Sequence, residues 1–365
     1  MLYWTKKQNQ TERTEEVQKN EIMMDNGTTK KQAMLYEKLE DGKVHCYLCS
    51  HHCLIAPSKK GFCNVRENVD GTLFTHSYGQ VISQAVDPIE KKPLFHFLPG
   101  SRAFSIAAIG CNFRCEFCQN WQISQVDEAE KLGFEAYDMS PEDIVKQARA
   151  QNCKTIAYTY TEPTIFFEYA YDTAVLARQE GLYNCFVTNG YMTKEALDTI
   201  RPFLDAANVD LKSFNDEFYK RRCKARLQPV LDSIAYMKEL GIWLEVTTLI
   251  IPGQNDSEQE LSEIARFLAR IDVNIPWHIS RFFPTYHFTD MPPTALDSLR
   301  KAKGIGERHG LRFVYLGNVP EASDTVCYNC KELFVSRPYA SAGQPKIRDG
   351  KCSKCGEQID GVWSD

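Results

Sequence analysis

The chain has 365 residues and a formal net charge of −5, with 43 Lys and Arg against 48 Asp and Glu. This balance excludes a broad basic surface, so nucleic acid is not an expected partner. The sequence has no run of eighteen apolar residues, and the first forty residues lack the apolar core of a secretory signal, which predicts a cytoplasmic protein with no membrane partner.

The N-terminal hundred residues divide into two parts. Residues 1–38 are polar and lack apolar periodicity, which predicts a disordered leader. Residues 41–100 predict a small cysteine-rich cap with short strands at 73–78 and 80–85. Four thiolates can bind zinc or an iron–sulfur cluster. The cap therefore predicts a second metal site, with zinc or an auxiliary iron–sulfur cluster left open, at Cys46, Cys49, Cys53 and Cys63.

Residues 101–320 alternate short apolar runs with longer helical patterns, which is typical of repeated β-α units around a parallel sheet. Strands are predicted at 103–109, 155–160, 183–188, 207–211, 243–251, 277–283 and 312–316. Helices are predicted at 140–151, capped by Ser140 with Pro141 in its first turn, and at 193–203, capped by Thr193. Polar residues at every strand end favour a partial (β/α)6 TIM-like barrel over a doubly wound sheet. Its chemistry is then expected at the carboxyl ends of the strands.

The chain has fourteen cysteines. In a long chain without an export signal, clustered cysteines favour metal ligation over disulfides. Cys153, Cys185 and Cys223 stand alone and are predicted to be ordinary buried residues.

The central cysteine cluster has the spacing C-x3-C-x2-C and follows the first barrel strand directly. Its members are Cys111, Cys115 and Cys118. Three thiolates on a [4Fe-4S] cluster leave one iron without a protein ligand, open to the amino and carboxylate groups of a small molecule. A structural zinc loop is the alternative, but zinc usually takes four ligands from paired C-x2-C elements, and no fourth ligand lies nearby in the sequence.

This loop, with the aromatic Phe117 before its last cysteine, resembles the signature of the radical S-adenosylmethionine (SAM) superfamily. In that superfamily the second strand ends in a Gly-Gly-Glu-like segment that binds the amino group of SAM. Here the glycines are absent, and Glu162-Pro163 keeps the end of the pattern. The resemblance implies further SAM contacts at later strand ends, from Asn189, Asp210, Lys212 and His278.

Each of these residues also has a simpler interpretation. Glu162 could be a solvated loop carboxylate, and Asn189 could belong to a turn. Asp210 and Lys212 could form a structural ion pair. His278 could be a hydrogen-bonded core residue.

Longer stretches narrow the resemblance. Residues 87–100, 119–125, 162–169, 277–284 and 315–320 resemble the AmmeMemoRadiSam system radical SAM enzymes, which are related to pyruvate formate-lyase activating enzymes. The resemblance covers roughly residues 41–365. It implies a functional association with AMMECR1-domain and Memo-domain proteins, and it leaves the substrate unidentified.

The C-terminal residues 321–365 contain two C-x2-C pairs separated by twenty-one residues, a spacing typical of a zinc ribbon. The four cysteines are Cys327, Cys330, Cys352 and Cys355. We predict a structural zinc site here.

Three functions remain open at this point. The first is an enzyme that cleaves SAM at the cluster, generates a 5′-deoxyadenosyl radical and abstracts hydrogen from an unidentified substrate, with electrons from a donor such as flavodoxin or ferredoxin. The second is an activase that abstracts hydrogen from a glycine of a protein partner. The third is a non-catalytic metal-binding scaffold.

Overall fold

The structure is a computed structural model, and it describes residues 22–25, 28–338, 342–343, 346–348 and 350–363. Residues 1–21 of the predicted leader lie outside the described residues. Within the rest of that segment, residues 22–25, 28–32 and 36–38 form strands. The polar strand at 28–32 pairs with the cap, where Lys31 lies opposite Thr75. Lys31 Nζ also contacts Asp172 of the helix Phe167–Gln179 at 2.9 Å.

The cap consists of two small antiparallel sheets. The first has the order β1-β2-β7-β6 and consists of β1 (Ile22–Asp25), β2 (Thr28–Gln32), β6 (Arg66–Val69) and β7 (Thr72–Thr75). The second has the order β3-β4-β5 and consists of β3 (Tyr36–Lys38), β4 (Val44–Cys46) and β5 (Cys53–Ile55). A further pair joins β8 (Gln80–Val81) to β11 (Tyr137–Asp138).

The main sheet has eight strands in the order β17-β16-β15-β14-β13-β12-β10-β9. Seven are parallel, and β9 is antiparallel to β10 at one edge. The order advances in one direction, without the reversal of a doubly wound sheet. The strands are β9 (Ser83–Pro88), β10 (Arg102–Ala107), β12 (Thr155–Tyr158), β13 (Tyr183–Thr188), β14 (Ala206–Asp210), β15 (Trp243–Ile250), β16 (Trp277–Arg281) and β17 (Val314–Gly317). All seven predicted barrel strands are confirmed.

Helices connect each parallel strand to the next. The described α-helices are Trp121–Ser124, Val126–Lys131, Pro141–Ala150, Phe167–Gln179, Lys194–Ile200, Asp216–Phe218, Leu227–Glu239, Glu258–Ile271 and Leu296–Arg308. Shorter helical turns are Glu40–Gly42, Ile89–Lys91, Pro163–Phe166 and the π-helix Tyr219–Cys223. The predicted caps are confirmed: Ser140 accepts from the Asp143 N–H in a capping box, and Thr193 accepts from the Ala196 N–H.

The segment between β9 and β10 packs at the amino ends of the strands. Its apolar side chains Leu94 and Phe97 join a buried cluster with Ala103, Ala157 and Ala206, which lie at or near the starts of their strands. The small residues leave space for the segment to approach the sheet. It therefore closes the end of the sheet opposite the predicted chemistry.

The C-terminal module packs against the last strand. It contains the short strands β18 (Thr325–Val326), β19 (Leu333–Val335), β20 (Ile347–Arg348) and β21 (Lys351–Cys352). Phe334 and Ile359 pack with Phe313 and Tyr315 in a separate buried cluster. His96 links the module to the main sheet. Its ring nitrogens contact Tyr315 Oη in β17 at 2.7 Å and the Asp360 carbonyl at 2.9 Å. Within the described residues, no helix is both long enough and apolar enough to cross a membrane.

Candidate functional site

A cavity of about 300 Å³ opens at the carboxyl ends of the parallel strands. Residues that follow β10, β12, β13 and β14 line it, together with residues of β15 and β16. Parallel strands bring the residues after each strand to one edge of the sheet, which is where α/β enzymes bind ligands. Eight of the predicted site residues share this cavity: Cys111, Cys115, Phe117, Cys118, Glu162, Asn189, Asp210 and Lys212.

The three-cysteine loop is held by backbone and side-chain contacts. Gly110 precedes it with φ +104°, a conformation that favours glycine. The Arg114 N–H donates to the Cys223 carbonyl at 2.9 Å, and Cys118 Sγ contacts Ser124 Oγ at 3.2 Å. The loop therefore presents its sulfurs in a preformed arrangement.

The thiols of this loop are protonated when no metal is bound. Burial raises the pKa of Cys111 and of Cys118, while a hydrogen bond with Cys223, followed by burial, raises the pKa of Cys115. Thiolates are the metal-binding form, so metal binding here must release protons.

Glu162 ties the ends of two strands together. Its Oε1 accepts from Thr164 Oγ1 at 2.5 Å and from Thr188 Oγ1 at 2.7 Å, and its Oε2 accepts from the Asn189 N–H at 2.8 Å. Burial raises the pKa of Glu162, although these donors oppose the shift. Glu162 is thus a buried positioning residue at the cavity, and the interpretation of a solvated loop carboxylate is wrong.

Asn189 reaches across the cavity to the cysteine loop. Its Nδ2 donates to Asn112 Oδ1 at 2.7 Å and lies 3.8 Å from Cys111 Sγ. Asn112 Nδ2 is buried and has no hydrogen-bond partner in the described part of the chain. A buried donor without a partner is costly, so an acceptor bound beside Cys111 would satisfy it. The donors and sulfurs here fit a bound cluster and a polar ligand.

Asp210 and Lys212 form an ion pair of 2.9 Å at the end of β14. Burial alone would lower the pKa of Lys212, but the neighbouring carboxylate of Asp210 raises it. Lys212 therefore places a positive charge beside the cysteine loop. Phe117 forms an apolar wall with Phe218 and Phe288, at ring distances of 5.6 and 5.8 Å.

Two predicted SAM contacts are not among the residues that line the cavity. Pro163 is buried in the first turn of the helix after Glu162. The structure corrects the prediction for His278. Its Nε2 lies 2.6 Å from Glu245 Oε2, and its ring packs against Phe95, which lies in the segment between β9 and β10. His278 lies too early along β16 to reach the carboxyl end, so it is a hydrogen-bonded core residue.

The cavity also has polar residues that the sequence did not indicate as site residues. Lys91 and Tyr160 line it, and the Tyr160 hydroxyl donates to Asp87, which also accepts from Lys92 Nζ at 2.8 Å. Tyr160 adopts φ +64°. Asp87, Lys91 and Lys92 lie in a stretch that carries the family resemblance, but their spacing alone indicated no role.

The other cysteines divide into three groups. Cys153, Cys185 and Cys223 are buried, as predicted. In the C-terminal set, the four sulfurs all lie within 4.8 Å of one another. The N-terminal set surrounds a small cavity on the flank of the barrel.

The sequence comparisons match the part of the chain that carries this three-cysteine loop. Residues 106–268 match the family model of the radical SAM superfamily, so the chain contains a radical SAM superfamily domain. It is 46% identical over 335 residues to "Uncharacterized protein MJ0808" of Methanocaldococcus jannaschii, covering 90% of this chain and 99% of the relative.

More distant relatives carry activating-enzyme names. The chain is 28% identical to "Putative glycyl-radical enzyme activating enzyme MJ1632" of the same organism, over 60% of this chain and 80% of the relative. It is 21% identical to "Pyruvate formate-lyase 1-activating enzyme" of Escherichia coli, over 56% of this chain and 89% of the relative. A solved domain of a pyruvate-formate lyase-activating enzyme from Bacteroides vulgatus matches 44% of this chain and 98% of its own length, with 20% identity and a TM-score of 0.38. The superfamily implies a [4Fe-4S] cluster and SAM as cofactors.

Proposed function

We propose that this protein is a radical SAM enzyme that binds a [4Fe-4S] cluster through Cys111, Cys115 and Cys118 inside a partial (β/α)6 barrel. When bound and reduced, the cluster supplies the electron that cleaves SAM to methionine and a 5′-deoxyadenosyl radical, which takes hydrogen from a substrate still to be identified. The observation that carries the proposal is the single cavity in which three cysteines meet Glu162, Asn189, Asp210 and Lys212.

The residues around the cysteines have separable tasks. Glu162 has its carboxylate oxygens occupied by protein donors, so we assign it the task of holding Asn189 towards Cys111. Lys212 and Asn112 supply a charge and a free donor for the polar part of SAM. Phe117 helps to exclude water, which strengthens the electrostatic interactions inside the cavity.

The direct test is product analysis. Protein loaded anaerobically with iron and sulfide, reduced with dithionite and supplied with SAM should form 5′-deoxyadenosine and methionine in equal amounts, as measured by liquid chromatography and mass spectrometry. Protein with a full iron content that forms neither product would contradict the proposal.

A second candidate function is activation of a glycyl-radical enzyme. The similarity to the two activating enzymes named above favours it. In this case the substrate is a glycine of a protein partner, and electron paramagnetic resonance should detect a glycyl radical on that partner. A modified small molecule as the product would favour the first candidate.

We also propose that the enzyme acts with AMMECR1-domain and Memo-domain proteins and takes electrons from flavodoxin or ferredoxin. The support is the sequence resemblance of residues 87–100 and 315–320 to the AmmeMemoRadiSam enzymes.

We propose zinc for the C-terminal set. Four thiolates about 2.3 Å from one tetrahedral zinc lie roughly 3.8 Å apart. The sulfurs of Cys327 and Cys355 are 3.7 Å apart, and those of Cys330 and Cys352 are 3.6 Å apart. This spacing suits one ion.

The variant Cys330→Ser is expected to lose this zinc, because one of four ligands is removed from a closed structural site. Elemental analysis should fall from about one zinc per chain to a small fraction of that value. The control is Cys153→Ser, which removes a lone buried cysteine and should leave the zinc content unchanged. Equal zinc content in both variants would contradict the assignment.

A further inference from the structure

The N-terminal cysteines are brought together by a hairpin and the loop that follows it. Cys46 and Cys53 lie directly opposite each other in the pair β4–β5, so their side chains point to the same face. Cys49 lies in the connection between these strands, and Cys63 lies in the next loop. All four line one small cavity, together with Gly61. A Cβ at Gly61 would lie 3.7 Å from Cys53 Sγ and 3.2 Å from Ile55 Cδ1, so glycine keeps this wall open.

The two flanking cysteine sets differ in the distances between their sulfurs. Within the residues that the structure describes, the C-terminal cysteines are the one group of three or more potential ligands whose ligand atoms all lie within 4.8 Å of one another. The N-terminal sulfurs are therefore spread more widely around their cavity. One zinc ion would draw four sulfurs together. A cluster of several irons holds its thiolates farther apart, because the thiolates do not all bind the same iron.

The surroundings of the N-terminal set favour a buried anionic group, because a charged side chain donates to one of its sulfurs.

A guanidinium completes this environment. Arg66 is 2% exposed, and its Nη1 donates to Cys46 Sγ at 3.3 Å. Its Nε is buried and has no partner among the described residues. Arg66 also pairs with the buried carboxylate of Glu168, which already balances its charge. Its contribution to an anionic cluster is therefore the hydrogen bond to Cys46 Sγ.

The N-terminal set also touches the catalytic loop. His51 Nε2 contacts the Asn112 carbonyl at 2.7 Å, and a Cβ at Gly110 would lie 3.4 Å from the Cys63 carbonyl. Arg114 donates to the Phe62 carbonyl, and its guanidinium lies 4.7 Å from the Phe62 ring centre. The two cysteine sets are thus joined by direct contacts between their loops, with no intervening element.

We propose that Cys46, Cys49, Cys53 and Cys63 bind a second iron–sulfur cluster, and not zinc, beside the three-cysteine loop. The C-terminal set remains the zinc site. The enzyme then carries two clusters on adjoining loops. This assignment concerns metal content, so it holds whether or not the protein cleaves SAM.

The test uses full-length protein that lacks the catalytic loop's ligands. The variant Cys111→Ala/Cys115→Ala/Cys118→Ala, purified anaerobically, should remain brown, with absorption near 400 nm. It should contain about one zinc and either about two or about four irons with matching sulfide per chain, depending on the cluster type. A colourless variant with about two zincs and no iron would overturn the proposal.

A second variant assigns the remaining iron to its ligands. Adding Cys49→Ser and Cys63→Ser to the triple variant should remove the iron and leave about one zinc. The matched control adds Cys153→Ser and Cys185→Ser instead, two buried cysteines outside both sets, and should keep the iron. Iron retained without Cys49 and Cys63 would overturn the assignment. Unsubstituted protein that forms no 5′-deoxyadenosine although its iron count is intact would count against the proposed function alone.

Discussion

Replacing Cys115 by alanine is expected to abolish cleavage of SAM, with 5′-deoxyadenosine formation falling about 10³-fold or more, since enzymes commonly accelerate reactions by 10⁶-fold or more. Cys115 is 7% exposed and lies in the centre of the loop whose sulfurs face the cavity. Removing it leaves two thiolates for a cluster that needs three. The measurement is 5′-deoxyadenosine per unit time on anaerobically loaded, reduced protein, together with its iron content.

The matched control is Cys185→Ala. Cys185 is also buried, and its replacement also removes one sulfur. It packs in the apolar cluster at the amino ends of the strands, away from the cavity. This variant should keep its iron and most of its activity. If Cys115→Ala forms product at the parent rate, or if both variants lose activity equally, the loop is not the catalytic ligand set.

Replacing Glu168 by glutamine is expected to lower the free energy of unfolding by about 3–5 kcal/mol, because it leaves a buried guanidinium without its counter-charge. Glu168 is 1% exposed, and its Oε1 accepts from Arg66 Nη2 and from the Met34 N–H at 2.6 Å. These contacts join the helix Phe167–Gln179 to the cap. The measurement is the denaturant midpoint and slope of the anaerobic protein.

The control for this prediction is an exposed ion pair. Arg149 and Glu180 contact each other with side chains that are 60% and 45% exposed. Glu180→Gln should cost about 1 kcal/mol or less, because solvent screens exposed pairs. Equal losses in the two variants would show that burial does not decide the strength of the Arg66–Glu168 pair.

The local pattern was sufficient for the parallel strands. Each strand from β10 to β17 is a short apolar run between longer helical segments, and Ser140 and Thr193 begin their helices through contacts three residues away. Such features depend on neighbours in the chain, so they are readable without the fold. The strand β2 escaped prediction because its polar residues are held by backbone pairing with β7, a contact between distant segments, and β1 pairs in turn with β2.

The sequence was sufficient to identify the three cysteines as candidate ligands, but not to assign the roles of the residues around them. Cys111, Cys115 and Cys118 could be identified because a cluster needs several thiolates and a short loop supplies them. The tasks of Glu162 and His278 depend on what surrounds each side chain. Both residues were predicted to contact SAM. In the structure, Glu162 lines the cavity, whereas His278 pairs with Glu245.

The sequence by itself determined the candidate chemistry: a three-cysteine loop at the end of a parallel strand, in a radical SAM superfamily domain. Residue spacing indicated zinc at the C-terminal set and left zinc or a cluster open at the N-terminal set, because the same thiolates bind both. Only the tertiary structure decided the distances between the sulfurs, because these depend on how the hairpin β4–β5 and the strands β18–β21 pack. Those distances are the basis of the two metal assignments that we propose.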